Sequence, residues 1–400
     1  MRSPIPFSDS TSFTSVALDL YNNKQFTPPS EWIIHLWPPG FMVLEALVLL
    51  VFGINVPFIL VLDLLVAISM AILFALGRAY LLSINPDERL SLIPLVLLLF
   101  PLPRMFLLEP LSLILGEGFA IIFFLISLLL TLFAARSKSI PVAVLAGLAL
   151  AWSAYLRSQF EALVVVLTAV AICIAAVLIV RAVWARKPTD FRQIRAIAIA
   201  LLVAHVAMLP WRIHNFEDFH STSWICCESL RYSNAGKTNK QLNDENAGWL
   251  VVGEANIACN LEPSYCGSSD SGAYYRVFRE HAGEWVLSKL LLAPSYWFSD
   301  LGSYASPATD NSPLDFLANA FYLACVFATF PLIWYIRRRP DAQIFFWFSA
   351  SFYAAFLVIF TLIQFETRYF YAMKIVALFS VALLATIAWK APRPHRGLVE

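Results

Sequence analysis

Four short stretches of this 400-residue chain carry residue types that group-transfer chemistry needs. Asp9 stands in Phe7-Ser8-Asp9-Ser10, Glu117 between two glycines, Arg157 directly after an apolar run, and Glu366-Thr367-Arg368-Tyr369 near the end. A carboxylate such as Asp9 can take the proton of an attacking hydroxyl as a bond forms. The planar donors of Arg157 and Arg368 suit a departing phosphate. Tyr155, Tyr369 and Trp37 can line an apolar groove or stack on a sugar ring.

Such residues work only if other elements hold them together, and the composition says what those elements are. Sixty per cent hydrophobic residues, 14% charged ones and a mean hydropathy of +0.70 lie outside the soluble globular range. No basic stripe interleaved with exposed aromatics points to nucleic acid. Because a span needs about 20 apolar residues, the sequence predicts about nine transmembrane helices. They fall near 56–81, 89–108, 113–134, 140–156, 160–181, 194–211, 314–336, 342–363 and 369–389. The stretch 140–156 is short and is expected to begin inside the preceding loop. Phe41 to Gly53 is too short to span and reads as an interfacial helix with Glu45 on its wet side.

Charge fixes the direction of the spans. Arg78 and Arg89, Arg136 and Lys138, Arg181 to Arg195, Arg337 to Arg339 and the tail bases Lys390, Arg393 and Arg396 all fall on one side under this count. The opposite side receives 212–312, with twelve acids against seven bases. The expected organisation is an all-α polytopic membrane protein. Residues 1–55 form an outer loop with interfacial helices, 56–211 and 313–390 are spans, 212–312 an extracytoplasmic loop domain, and 391–400 a cytoplasmic tail. Cys226, Cys227, Cys259 and Cys266 in that loop suggest two disulfides of undetermined connectivity.

The order of motifs then resembles a known class. An early acid (Asp9) is followed by Trp37-Pro38-Pro39-Gly40-Phe41, by Gly116-Glu117, by Leu156-Arg157, by Pro210-Trp211-Arg212-Ile213-His214-Asn215 and by Glu366-x-Arg368-Tyr369. This resembles the GT-C class of membrane glycosyltransferases, in its branch of protein O-mannosyltransferases and the lipid A aminoarabinose transferase. The resemblance implies a GT-C-like helical bundle in the cytoplasmic (inner) membrane with its active site facing the periplasm or outside. It implies transfer of a sugar from a polyprenyl-phosphate carrier to a glycan, lipid or protein acceptor, with inversion. Asp9 is then the catalytic base, and Glu117, Arg157, Glu366, Arg368 and Tyr369 bind substrate. Glu109 competes with Glu117 for the family position, and the distance from Glu117 to Arg136 suits one crossing better. The family's second acid is replaced by Ser10, and its first span is not seen before Asp9. Either the short N-terminus translocates by itself, or an upstream helix belongs before it.

Plainer readings stand beside these. Asp9 caps a helix running through Leu20. Arg157 pairs with Glu161 one turn on, and Arg368 with Glu366. Glu117 is solvated at the interface, His35 and His214 are hydrogen-bonded structure, and Lys374 snorkels to the membrane face. No ligand spacing calls for a protein-held metal, while a divalent cation accompanying the phosphate is compatible with the site. The competing functions are a polytopic transporter or lipid flippase, which needs repeat symmetry and broken mid-membrane helices, and a non-catalytic GT-C-like subunit.

Overall fold

The structure, a computed structural model, describes residues 8–27, 33–34, 37–55, 58–84, 116–185, 192–219, 261–265, 271–298, 313–362 and 367–389. Among them the chain forms twelve α-helices and no strand. These are α1 (Ser8–Asn23), α2 (Gly40–Phe52), α3 (Phe58–Ile84), α4 (Glu117–Ser137), α5 (Ile140–Leu156), α6 (Ser158–Ala185), α7 (Arg192–Phe219), α8 (Ser271–Glu280), α9 (Ala282–Trp297), α10 (Pro313–Tyr335), α11 (Pro340–Leu362) and α12 (Thr367–Trp389). Seven of them (α3, α4, α6, α7 and α10 to α12) are long and apolar enough to cross a membrane. The expected span 89–108 and the four loop cysteines lie outside the described residues.

Two expected boundaries change for physical reasons. Helix α5 does not begin in the preceding loop: Ser139 caps it, its side chain accepting from the Val142 amide at 3.5 Å, with Pro141 in the first turn. At 17 residues it is about 25 Å long. Its small residues Ala143, Ala146 and Gly147 let α7 approach closely, and a Cβ on Gly147 would collide with the Ala200 carbonyl. Helix α7 in turn does not stop before Arg212. It runs through Pro210 to Phe219, so Trp211 to Asn215 are helical and do not open the outer loop.

One end of the bundle is tied by Arg136, which pairs with Asp341 at 3.1 Å and donates to the Ser83 carbonyl at 3.1 Å. The ends of α3 and α4 and the start of α11 therefore meet there. Helices α4 and α10 both end there, so their first residues, Glu117 and Pro313, stand at the opposite end. Lys374 of α12 donates to Asn319 of α10 at 2.8 Å, which places the first turn of α12, with Arg368 and Tyr369, at the end of Glu117.

Candidate functional site

Across this second end lies α1. Phe13 packs edge-on against Trp37 and Phe41, with ring centroids 6.0 and 6.1 Å apart, and Phe41 meets Phe119 of α4 at 6.4 Å. Near the end of α1, Asp19 accepts from the Thr27 amide at 2.8 Å and from the Thr27 hydroxyl at 2.9 Å. This fixes the turn that carries Phe26 onto Trp211 of α7, 6.2 Å between centroids. Helix α1 thus packs on α2, which carries Phe41 onto α4, while the turn after α1 reaches α7.

Gly40 explains the Pro-Pro-Gly stretch. A Cβ there would lie 2.6 Å from the Tyr155 carbonyl oxygen, so only glycine lets the start of α2 rest on the end of α5. Gly116 is nearly as tight, its notional Cβ 3.2 Å from the Leu156 carbonyl and 3.3 Å from Phe41. The glycines bring α1, α2, α4 and α5 together around Glu117 and Arg157.

These two residues pair directly. Arg157 occupies the single extended residue between α5 and α6, and its guanidinium meets the carboxylate of Glu117, the first residue of α4. The side chains are 9% and 16% exposed, so the pair is nearly dry. Glu161, one turn on from Arg157, is 1% exposed and meets Arg212. It accepts from Arg212 Nε at 2.8 Å and pairs with Arg212 Nη2 at 2.7 Å. Arg212 Nη1 lies 3.1 Å from His205 Nδ1, and His205 Nε2 lies 2.9 Å from the Thr168 hydroxyl. Because a guanidinium only donates, Nδ1 accepts and Nε2 carries the proton of the neutral ring. The Thr168 hydroxyl donates to the Val164 carbonyl at 2.8 Å, which closes the chain. Sequence reasoning missed this network: its members lie 37 and 51 residues apart, and no local spacing joins them.

The remaining sequence-predicted residues divide as follows. Asp9 stands in the first turn of α1, one turn before Phe13, rather than as a cap outside it. Arg368 and Tyr369 stand in the first turn of α12. The side chains of these three residues lie outside the described residues, as does Glu366 entirely. No group of three His, Cys, Asp or Glu side chains able to hold a metal occurs among the described residues.

Two polar residues do the opposite of what was expected. Glu45 is not on a wet side: it is 0% exposed, and neither oxygen finds a hydrogen bond among the described residues. The outward face of α2 is instead Leu47, Leu50, Val51 and Phe52. Burial pushes the Glu45 carboxyl well above the usual carboxylate range. Lys374 does not snorkel, since its ammonium is turned inward and fully buried.

No protein-family model matches the sequence. No curated protein matches it either. The fold is similar to that of the archaeal oligosaccharyltransferase AglB from Archaeoglobus fulgidus, solved in complex with an inhibitory peptide and a dolichol-phosphate. The TM-score is 0.50 at 13% identity, over 96% of this chain and 46% of that one. The likeness is one of fold, and this chain spans less than half the length of that protein. Among the described residues the fold is thus an all-helical polytopic bundle similar to that of this membrane protein.

Proposed function

We propose that the protein is an integral membrane glycosyltransferase that moves a sugar from a polyprenyl-phosphate carrier to a glycan, lipid or protein acceptor on the outer side of the cytoplasmic membrane. In this reading the acceptor hydroxyl attacks the anomeric carbon, the carbon–oxygen bond to phosphate breaks, and Asp9 takes the hydroxyl proton. The carrier leaves as its phosphate, and the sugar inverts. Arg157 and Arg368 balance the phosphate charge, Glu117 and Glu366 orient them, and Tyr369 lines the donor site. A divalent cation riding on the phosphate is compatible with the scheme.

The observation that carries the reading is that 96% of the chain follows the fold of a transferase solved with a dolichol-phosphate, while a nearly dry Glu117–Arg157 pair sits by the start of α2 at one end of the bundle. That end also receives the backbone of Arg368 and the end of α1 that bears Asp9.

The test is transfer from a panel of radiolabelled polyprenyl-phosphate sugars into membrane extracts, with the wild type and Asp9→Asn compared at equal folded protein. Removing a general base should slow transfer by about 10²- to 10⁴-fold. Wild-type rates in Asp9→Asn would sink the assignment of the base. Absence of transfer with every donor of the panel, or substrate flux into vesicles that survives Asp9→Ala, would sink the transferase itself.

A further inference from the structure

We propose that Lys374 is a positioning residue that bolts helix α9 of the outer loop onto the spans, making it a fixed wall beside the turn that carries Arg368 and Tyr369. A lysine with 0% exposure inside an apolar helix needs compensation for its lost hydration. Here the compensation is specific. The ammonium donates to the Trp297 carbonyl at 2.9 Å and to the Asn319 side-chain oxygen at 2.8 Å, while the Trp297 indole donates to the Asn319 carbonyl at 3.0 Å. Three hydrogen bonds thereby close a loop through α9, α10 and α12. Two rings sit by the same ammonium, Trp297 at 5.3 Å and Tyr371 at 5.4 Å from their centroids.

The Trp297 carbonyl is suited to this. It belongs to the last residue of α9, where carbonyls lack intrahelical donors and the helix dipole is negative. The rest of α9 shows why a bolt is needed. Leu287, Leu290 and Leu291 face outward, while Trp285, Lys289 and Tyr296 are buried. A short helix with leucines outward lies among acyl chains, where apolar burial gains little over lipid and directed bonds decide where it stays. Phe370, one turn before Lys374, packs against Tyr296 and Trp297 with centroids 6.4 and 6.0 Å away. Lys374 follows Arg368 by six residues, about 9 Å along α12. A shift of α9 is therefore felt at the turn assigned to the leaving phosphate. The docking stands on geometry alone, and its bearing on transfer rests on the glycosyltransferase reading.

Hydrogen–deuterium exchange on the full chain in lipid nanodiscs tests the docking. Lys374→Met keeps the apolar stem and removes the donors. Amides of 282–298 should exchange at least about tenfold faster, with α4 and α5 unchanged. Exchange at the wild-type rate would overturn the proposal. Should Lys374→Met fail to fold, Asn319→Ala removes one acceptor and leaves the lysine. The same acceleration over 282–298 is then expected, and its absence overturns the proposal equally. For transfer, a wall beside the Arg368 turn acts on placement of the polyprenyl-phosphate donor, so the donor KM of Lys374→Met should rise about tenfold with kcat within about threefold. A fall in kcat with KM unchanged would remove the positioning role. If the wild type transfers nothing, the glycosyltransferase reading fails, and the exchange arm still decides whether Lys374 holds α9.

Discussion

Glu117 and Arg157 carry opposite charges into a nearly dry space, and each depends on the other for its place there. Removing one partner takes a close counter-charge from a nearly dry group, and breaking a buried pair costs about 3–5 kcal/mol. Arg157→Met alone should lower the melting temperature of the purified protein sharply. The double variant Glu117→Gln/Arg157→Met should recover most of that loss, and additive losses would show that the two side chains do not interact. Glu45 makes a pH prediction of its own. Burial raises its folded-state pKa above the unfolded value, so the folded state binds the proton more tightly. The associated stability is complete below the usual carboxylate range and is lost as pH rises through the folded-state value. Thermal melts from about pH 4 to about pH 8 should fall across that window in the wild type, and Glu45→Gln should flatten the fall. A wild-type curve identical to that of Glu45→Gln would show a carboxyl that ionises freely.

At the scale of elements, close approach is the determining fact. Gly40 and Gly147 are where helix meets backbone, at Tyr155 and Ala200. Neither contact yields as a flexible side-chain end would, so an added methyl must move a helix. Gly147→Ala should destabilise by about 1–3 kcal/mol as α5 and α7 separate, read as a lower melting temperature. Gly40→Ala should act differently. It lifts the start of α2 from α5, and with it the Phe41 ring that joins α1 to α4, so transfer should fall more than stability. Unchanged melting in Gly147→Ala would mean that the helices have room to slide. The end of helix α5 was legible, since its apolar run stops cleanly at Arg157, while its start was expected in the preceding loop and stands at Ile140. The end of α7 was not: Pro210 reads as a stop, yet a proline within an apolar bundle is tolerated where neighbouring groups satisfy the freed carbonyl.

For the whole molecule, the end tied by Arg136 and the end that bears Glu117 lie on opposite sides of the spans. Single cysteines in a background without native cysteines should react accordingly in intact cells. Glu217→Cys should label with an impermeant thiol reagent, and Arg338→Cys only after permeabilisation. The reverse pattern would invert the protein and remove the outward-facing site. The amino-acid sequence by itself determined that this chain is a helical bundle in a membrane and where most of its spans begin and end. Those properties are written in runs of apolar residues and in local charge, which one segment carries alone. Only the tertiary structure decided that Arg157 meets Glu117 and Arg212 meets Glu161, that Glu45 and Lys374 face inward, and that α1 packs on α2. In a bilayer a polar side chain must find its partner inside the protein. That partner stands wherever the packing of distant helices brings it, for which no sequence spacing provides a rule.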